Sequence, residues 1–201
     1  MNNEHETYHV VLLRALDYDD HITIWPTYFD LTIKYQPFYC EENIWQLCQH
    51  PKFLGGQVIF IAAVGDYFPM FFQKTGQGKD QLIFWDYHVV LLQAGDIHDF
   101  NSTLSFSTPL NHFLAYSFAD ESLLEAQMIP KFRVISAEDY VASFLSDRRH
   151  MKTQSGWSAP PPSWPVISES SSNLEQFSDM EDLTFGEVMS LSELLLKYTH
   201  R

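Results

Sequence analysis

Hydrophobic and polar positions follow two different periods along the chain after residue 35. Apolar side chains recur at helical spacing over residues 40–50, and Pro51 ends the predicted helix. Runs typical of strands, separated by glycine-containing turns, follow at residues 58–64, 67–72, 82–92, 97–100 and 132–135. Helical patterns return over residues 137–145 and 185–198. This order of helix, several strands and closing helices predicts an α+β fold.

The N-terminal 34 residues do not continue this pattern. The hexapeptide Tyr-His-Val-Val-Leu-Leu occurs at residues 8–13 and again at residues 87–92, a repeat that chance rarely produces in a chain of this length. Either a strand has been duplicated or the N-terminal stretch is an aberrant extension. We therefore predict a divergent extension of uncertain structure over residues 1–34 and a single globular domain over residues 35–201.

Composition and charge narrow the class of protein. The chain has 201 residues, 26 of them acidic and 12 basic, so that its net charge is −14, and 45% of its residues are hydrophobic. This balance is typical of a globular chain, whereas the negative charge argues against binding to nucleic acid or to an anionic membrane. The chain starts with polar and acidic residues, and no apolar run approaches the ~20 residues that cross a bilayer. We therefore expect a cytoplasmic or nuclear protein.

One cysteine and one histidine have the setting of a nucleophile and its base. Cys40 falls in the first turn of the predicted helix, where the helix dipole favours a thiolate, although Glu41 and Glu42 oppose it. His88 lies inside an apolar strand, where an imidazole without a hydrogen-bond partner would be costly. A nucleophilic thiol needs such a base, and the base in turn needs an orienting carboxylate.

The register of one hairpin selects that carboxylate. If Ala94 and Gly95 form a two-residue turn, Asp99 falls on the same face as His88, one diagonal step away. A three-residue turn would move Asp99 to the other face. Taken singly, each residue also has a commoner structural explanation, as a core cysteine, a hydrogen-bonded histidine or a turn acid.

The sequence contains no motif that is typical of a metal or cofactor site. The two cysteines, Cys40 and Cys48, are eight positions apart on one helix and cannot form a disulfide, and Cys48 fits the apolar face of that helix. No Cys-x-x-Cys motif occurs, the nine histidines are scattered, and no glycine-rich phosphate loop is present. We therefore predict no metal site and no cofactor.

Several motifs, in the same order along the chain, are similar to those of the protein N-terminal glutamine amidohydrolases. The similarity covers about residues 37–198. Its matching segments are Tyr-Cys-Glu-Glu-Asn-Ile-Trp at 39–45, Trp-Asp-Tyr-His-Val-Val at 85–90, and the segments at 131–135, 146–152, 156–157, 160–162 and 191–193.

The resemblance implies a papain- or transglutaminase-like α+β fold. In that fold a cysteine at a helix N-terminus packs on an antiparallel sheet that carries the histidine and the aspartate. The residues that match the family's Cys-His-Asp triad are Cys40, His88 and Asp99. The implied reaction is deamidation of an N-terminal glutamine to glutamate through a thioester, by a monomer without cofactor that acts on proteins or peptides and feeds the N-degron pathway.

The resemblance leaves some questions open. Residues 62–64 read Ala-Ala-Val where the family is expected to have a polar stretch, and the connection from the histidine to the aspartate is shorter than expected. Two alternatives therefore remain: another Cys-His-Asp acyl-transfer enzyme, such as a peptidase or acyltransferase, and a non-catalytic module that binds protein N-termini. Candidate partners for a substrate amine are Glu41, Glu42 and Asp86.

Overall fold

The computed structural model of the chain describes residues 33–199. Within that range the five α-helices are α1 (Cys40–Cys48), α2 (Leu110–Ser117), α3 (Ala137–Ser143), α4 (Leu174–Ser178) and α5 (Leu191–Thr199). The ten strands of the same range are β1 (Gln57–Ala62), β2 (Phe68–Met70), β3 (Ile83–Trp85), β4 (Tyr87–Gln93), β5 (Asp96–His98), β6 (Ser107–Pro109), β7 (Lys131–Ser136), β8 (Lys152–Thr153), β9 (Gly156–Trp157) and β10 (Glu187–Met189).

Six of these strands form one antiparallel sheet in the order β10-β7-β1-β4-β5-β6. Strands β2 and β3 form a separate pair, as do β8 and β9. The mixed α+β class predicted from the sequence is therefore confirmed. The first copy of the repeated hexapeptide and nearly all of the predicted extension 1–34 lie outside the described residues, so the division at residue 34 stays a prediction. None of the helices in residues 33–199 is both long enough and apolar enough to span a bilayer.

Side chains alternate between the two faces of the sheet along each strand, and helices pack on both faces. Ile59 and Ile61 of β1 belong to a buried cluster that includes side chains of α2 and α5. Phe60, between them, points the other way and packs against Tyr140 of α3 and Phe177 of α4. Helix α1 lies on that second face, where it contacts both β4 and α3. The start of α1 is therefore held against the strand that carries His88.

The hairpin between β4 and β5 has the short turn on which the choice of carboxylate depended. Gln93 pairs with Asp96, and the two residues between them, Ala94 and Gly95, have φ angles of 53° and 87°. Two positive φ angles are the signature of a type I′ turn, whose twist matches that of the flanking strands. The turn thus has two residues, which is the alternative that selects Asp99, and Asp99 follows directly after β5.

The predicted helix over residues 185–198 is partly wrong. Its first part is β10, which pairs with β7 at the edge of the sheet, and only the second part is α5. A capping box separates the two, because the Ser190 backbone N–H donates to Glu193 Oε2 at 2.7 Å and the Glu193 N–H donates to Ser190 Oγ at 3.3 Å. The predicted strand 82–92 is similarly divided into β3 and β4 at Asp86.

A buried arginine fastens the segment after α4 to the sheet. Arg133 of β7 is fully buried, and its guanidinium donates to the carbonyl oxygens of Phe177 at 2.8 Å and Asp182 at 2.6 Å, with a further bond to Phe185. A buried cation must have its donors satisfied, and backbone carbonyls do so here. These hydrogen bonds hold residues 177–185 next to the sheet, directly before β10.

Candidate active site

The backbone before α1 is fixed in an unusual conformation. Phe38 has a φ of 68°, a left-handed value that a non-glycine residue adopts only when its surroundings require it. The side chain of Asn43 supplies that requirement: its Oδ1 accepts from the Gln36 N–H and its Nδ2 donates to the Gln36 carbonyl, both at 2.8 Å. The turn that leads into Cys40 is therefore clamped by the first turn of the helix that Cys40 begins.

The Cys40 thiol is half-buried and lies next to a carboxylate. Its Sγ donates to Glu41 Oε2 at 3.6 Å. Burial of the sulfur, and secondarily the charge of Glu41, raises the pKa of Cys40 well above its ordinary value, against a smaller lowering by the backbone N–H of Val89. Burial and Glu41 thus favour the neutral thiol.

His88 and Asp99 form a buried hydrogen-bonded pair. His88 Nε2 lies 2.9 Å from Asp99 Oδ1, and both side chains are 1% exposed. Asp99 Oδ1 also accepts from the Asn101 backbone N–H at 2.8 Å, while Oδ2 accepts from Gln73 Nε2 at 3.2 Å. Burial alone would raise the pKa of Asp99, but its interactions with His88, Asn101 and Gln73 outweigh this and hold the pKa below its usual value.

The two ring nitrogens of His88 have different surroundings. An ionised Asp99 can only accept a hydrogen bond, so Nε2 carries a proton, and in the neutral imidazole the lone pair is therefore on Nδ1. Within residues 33–199, Nδ1 is buried and has no hydrogen-bond partner. The Trp85 indole stacks on the imidazole with ring centroids 5.2 Å apart and planes 13° from parallel. The ring is thus fixed by Asp99 on one side and by stacking on its face.

A cavity of about 290 Å³ lies next to Cys40. Four parts of the chain line it: the turn before α1, the junction of β3 with β4, the residues after β5, and the segment around β8 and β9. Its lining residues are Phe38, Cys40, Trp85, Asp86, Tyr87, Asn101, His150, Met151, Ser158 and Ala159. A larger cavity of about 490 Å³, between β7, β10, α3 and α5, is lined by none of the residues predicted to act in catalysis.

The three candidate carboxylates have different surroundings. Asp86 is exposed and lines the cavity, and its Oδ1 accepts from the Tyr87 N–H at 2.8 Å. Glu41 is fully buried, where it accepts from Tyr87 Oη at 3.1 Å in addition to the Cys40 thiol. Glu42 is fully buried, does not line the cavity and has partners of its own.

Glu42 forms an ion pair that joins α1 to the segment after α3. Arg148 donates through Nε to Glu42 Oε1 at 2.8 Å and through a terminal nitrogen to Oε2 at 2.7 Å. The Trp164 indole N–H also donates to Oε2, at 2.8 Å. Both oxygens of Glu42 thus have partners within the chain. That Glu42 binds a substrate amine stays a prediction, which the proposal below does not include.

Removing one partner of this ion pair should destabilise the fold. Arg148→Gln leaves the Glu42 carboxylate buried without its counter-ion, and we expect a loss of about 3–5 kcal/mol in the free energy of unfolding, measured by urea denaturation. The matched control is Arg149→Gln, which breaks an ion pair with Asp147 whose arginine is 59% exposed. Exposed ion pairs contribute little to stability because solvent screens them, so similar losses in the two variants would contradict this account.

The structure brings some of the predicted residues together and adds others. His88 of β4 contacts Asp99. The Cys40 thiol lies next to the same strand, where the backbone N–H of Val89 interacts with the sulfur. Gln73 and His150, which the sequence did not single out, contact Asp99 and Glu41 respectively. Among residues 33–199, no group of three or more His, Cys, Asp or Glu side chains has the arrangement of a metal site.

Comparison with known proteins gives one consistent family. The model of the N-terminal glutamine amidase family matches residues 35–198. The protein N-terminal glutamine amidohydrolase of Bos taurus is 36% identical over 180 residues, which cover 82% of this chain and 86% of the relative. The protein of the same name from Drosophila melanogaster is 36% identical over 180 residues, covering 82% of this chain and 87% of the relative. That of Drosophila ananassae is 35% identical over 177 residues, covering 80% and 86%.

Proposed function

Because this chain belongs to the N-terminal glutamine amidase family, we propose that it hydrolyses the side-chain amide of an N-terminal glutamine, as its relatives' name states. The products are ammonia and a protein or peptide that begins with glutamate. The observation that carries the proposal is the buried His88–Asp99 pair next to a helix that begins with Cys40. A hydrolase of this kind needs a thiol, a base and a carboxylate that orients the base, and Cys40, His88 and Asp99 are residues of these three types.

The first half of the reaction forms a thioester. His88 Nδ1, which has its lone pair available, takes the proton of the Cys40 thiol as the sulfur attacks the amide carbon of the substrate side chain. His88 then returns that proton to the amide nitrogen, the C–N bond breaks and ammonia leaves. A base is required because the raised pKa of Cys40 keeps the resting thiol protonated. Asp99 holds the imidazole in the tautomer that can act.

The second half hydrolyses the thioester. His88 removes a proton from a water molecule, whose oxygen attacks the thioester carbon, and the C–S bond breaks as the sulfur regains its proton. In both halves the oxygen of the tetrahedral intermediate needs donors. The backbone N–H of Cys40 is suited to this role, because the N–H groups of the first turn of a helix have no partner within the helix.

Asp86 is the residue that we propose to receive the α-ammonium group of the substrate. It is an exposed carboxylate on the wall of the cavity that Cys40 also lines, whereas Glu41 and Glu42 are fully buried. A charged hydrogen bond to the substrate contributes about 1.5–3 kcal/mol. The same contact would select a free N-terminus over an internal glutamine, whose backbone nitrogen carries no charge.

Replacing Asp86 should therefore weaken substrate binding more than it slows the chemistry. For Asp86→Asn we expect KM to rise about tenfold or more, with kcat changing much less, when ammonia release is followed with a peptide that begins with glutamine. Asp80→Asn is the control, because Asp80 is exposed between β2 and β3 and does not line the cavity. A fall in kcat at constant KM would instead assign Asp86 to the chemical step.

The test of the function compares two peptides that differ only at the N-terminus. The chain should release ammonia from a peptide that begins with glutamine and should turn over the N-acetylated peptide far more slowly. Equal turnover of the two would contradict an N-terminal specificity. Cleavage of an internal peptide bond would favour a different acyl-transfer enzyme, and binding without turnover would favour a non-catalytic module.

The compartment in which the enzyme acts can be inferred from its free thiol. A cysteine that must stay a free thiol suits a reducing compartment, so we propose that the enzyme acts in the cytoplasm or nucleus, as a monomer that carries its whole site in one chain. An acidic residue newly exposed at a protein N-terminus is the kind of product that feeds the N-degron pathway implied by the resemblance.

A further inference from the structure

A second histidine is connected to the nucleophile through one buried carboxylate. His150 Nε2 lies 3.3 Å from Glu41 Oε1, and the other oxygen, Oε2, accepts from Cys40 Sγ at 3.6 Å and from Tyr87 Oη at 3.1 Å. The His150 side chain is 22% exposed and lines the same cavity as Cys40. The mechanism proposed above gives no role to either His150 or Glu41.

The position of Glu41 creates an electrostatic problem that His150 can solve. The Glu41 side chain is completely buried, and its Oε1 has no hydrogen-bond partner among the described residues beyond the close approach of His150. A negative charge in contact with a thiol opposes formation of the thiolate, and a buried carboxylate without a counter-ion is itself unfavourable. A cation placed at Oε1 relieves both effects.

We propose that His150 is a positioning residue for the reaction, which as an imidazolium neutralises Glu41 and so eases transfer of the Cys40 proton to His88. This inference rests on Cys40 being the nucleophile of the proposed function. His150 contacts the carboxylate and not the reacting atoms, and therefore acts on the thiol through Glu41.

The other charged and titratable groups around His150 do not replace it. On its own segment, Arg148 and Arg149 are paired with Glu42 and Asp147, and Lys152 lies over the ring of Trp157. The titratable groups that face the cavity from other elements are Cys40, which begins α1, and Asp86 and Tyr87, at the junction of β3 with β4. These last groups are acidic or neutral, so that among the described residues that line this cavity only His150 can carry a positive charge.

The test is a double-mutant cycle read by alkylation of the thiol rather than by turnover. The rate at which iodoacetamide modifies Cys40 is measured against pH, and the modified cysteine is identified by peptide mass. His150→Gln removes the side chain that can carry a positive charge beside Glu41, so it should slow the modification about tenfold at the acidic end of the range and have no effect at alkaline pH. In a chain that already carries Glu41→Gln, the same substitution should change the rate less than twofold.

Two further variants separate charge from structure. His150→Lys keeps a cation at this position and should restore the rate and extend it to higher pH. His112→Gln, on the exposed surface of α2, should leave the rate unchanged. An equal slowing by His150→Gln with and without Glu41, or no slowing at all, would overturn the inference. Because alkylation needs no substrate, these outcomes are independent of whether a glutamine peptide is deamidated.

Discussion

Replacing Cys40 with alanine is expected to abolish ammonia release from a peptide that begins with glutamine, a loss of about 10⁴-fold or more. In the proposed mechanism the sulfur forms the covalent bond between enzyme and substrate, and alanine at the start of α1 leaves the enzyme without a nucleophile for the amide carbon. The remaining donors and the His88–Asp99 pair can still bind and polarise the amide, but water would have to attack directly. The measurement is single-turnover kinetics at saturating enzyme.

The second cysteine provides the matched control for this substitution. Cys48 lies at the other end of α1, where it is 3% exposed and packed in the core. Cys48→Ala should lower the stability of the fold through the lost packing and keep the activity of the folded protein. Activity that survives in Cys40→Ala, or that disappears in a folded Cys48→Ala protein, would refute the assignment of the nucleophile.

Replacing Asp99 with asparagine is expected to lower kcat by about 10³–10⁴-fold while leaving the fold intact. Asparagine keeps the size of the side chain, and its oxygen in the place of Oδ1 can still accept from the Asn101 N–H and from His88 Nε2. It carries no charge, however, so that the imidazolium formed when His88 takes the thiol proton loses its buried counter-ion. Proton transfer from the thiol to His88 then becomes less favourable.

The neighbouring hairpin offers the comparison for this variant. Asp96 lies three residues earlier, pairs with Gln93 across the turn and accepts from Ser107 Oγ at 2.8 Å, away from His88. Asp96→Asn should leave kcat within about twofold, since surface substitutions of this kind have small effects. A loss of less than tenfold in Asp99→Asn would mean that the charge of Asp99 does not assist proton transfer to His88.

The parts of the site that depend on local chemistry could be predicted from the sequence. The start of α1 follows from the helical spacing up to Pro51. The His88–Asp99 contact follows from the two-residue turn at Ala94 and Gly95, because that turn sets the register of everything beyond it. A period and a turn type involve only neighbouring residues, which the sequence displays directly.

The parts that could not be predicted depend on contacts between distant segments. Glu42 and Arg148 are 106 residues apart, and no pattern in the sequence indicates that they pair. The same holds for Gln73 on Asp99 and for His150 on Glu41. The raised pKa of the Cys40 thiol could likewise not be predicted from the sequence, because the burial that raises it arises only when the helix packs on the sheet. The position of Cys40 in the helix indicates the effect of the helix dipole on its pKa, but not the effect of removing the thiol from water.

The most direct test of the proposed function is covalent labelling by a substrate analogue. A peptide whose N-terminal residue carries a diazoketone in place of the glutamine amide loses nitrogen gas when a nucleophilic thiol attacks it, and leaves a stable thioether. Mass analysis of the labelled chain should find one adduct, on Cys40, and none when the peptide is N-acetylated. An adduct on another residue, or equal labelling by the two peptides, would contradict a Cys40 enzyme that is specific for N-terminal glutamine.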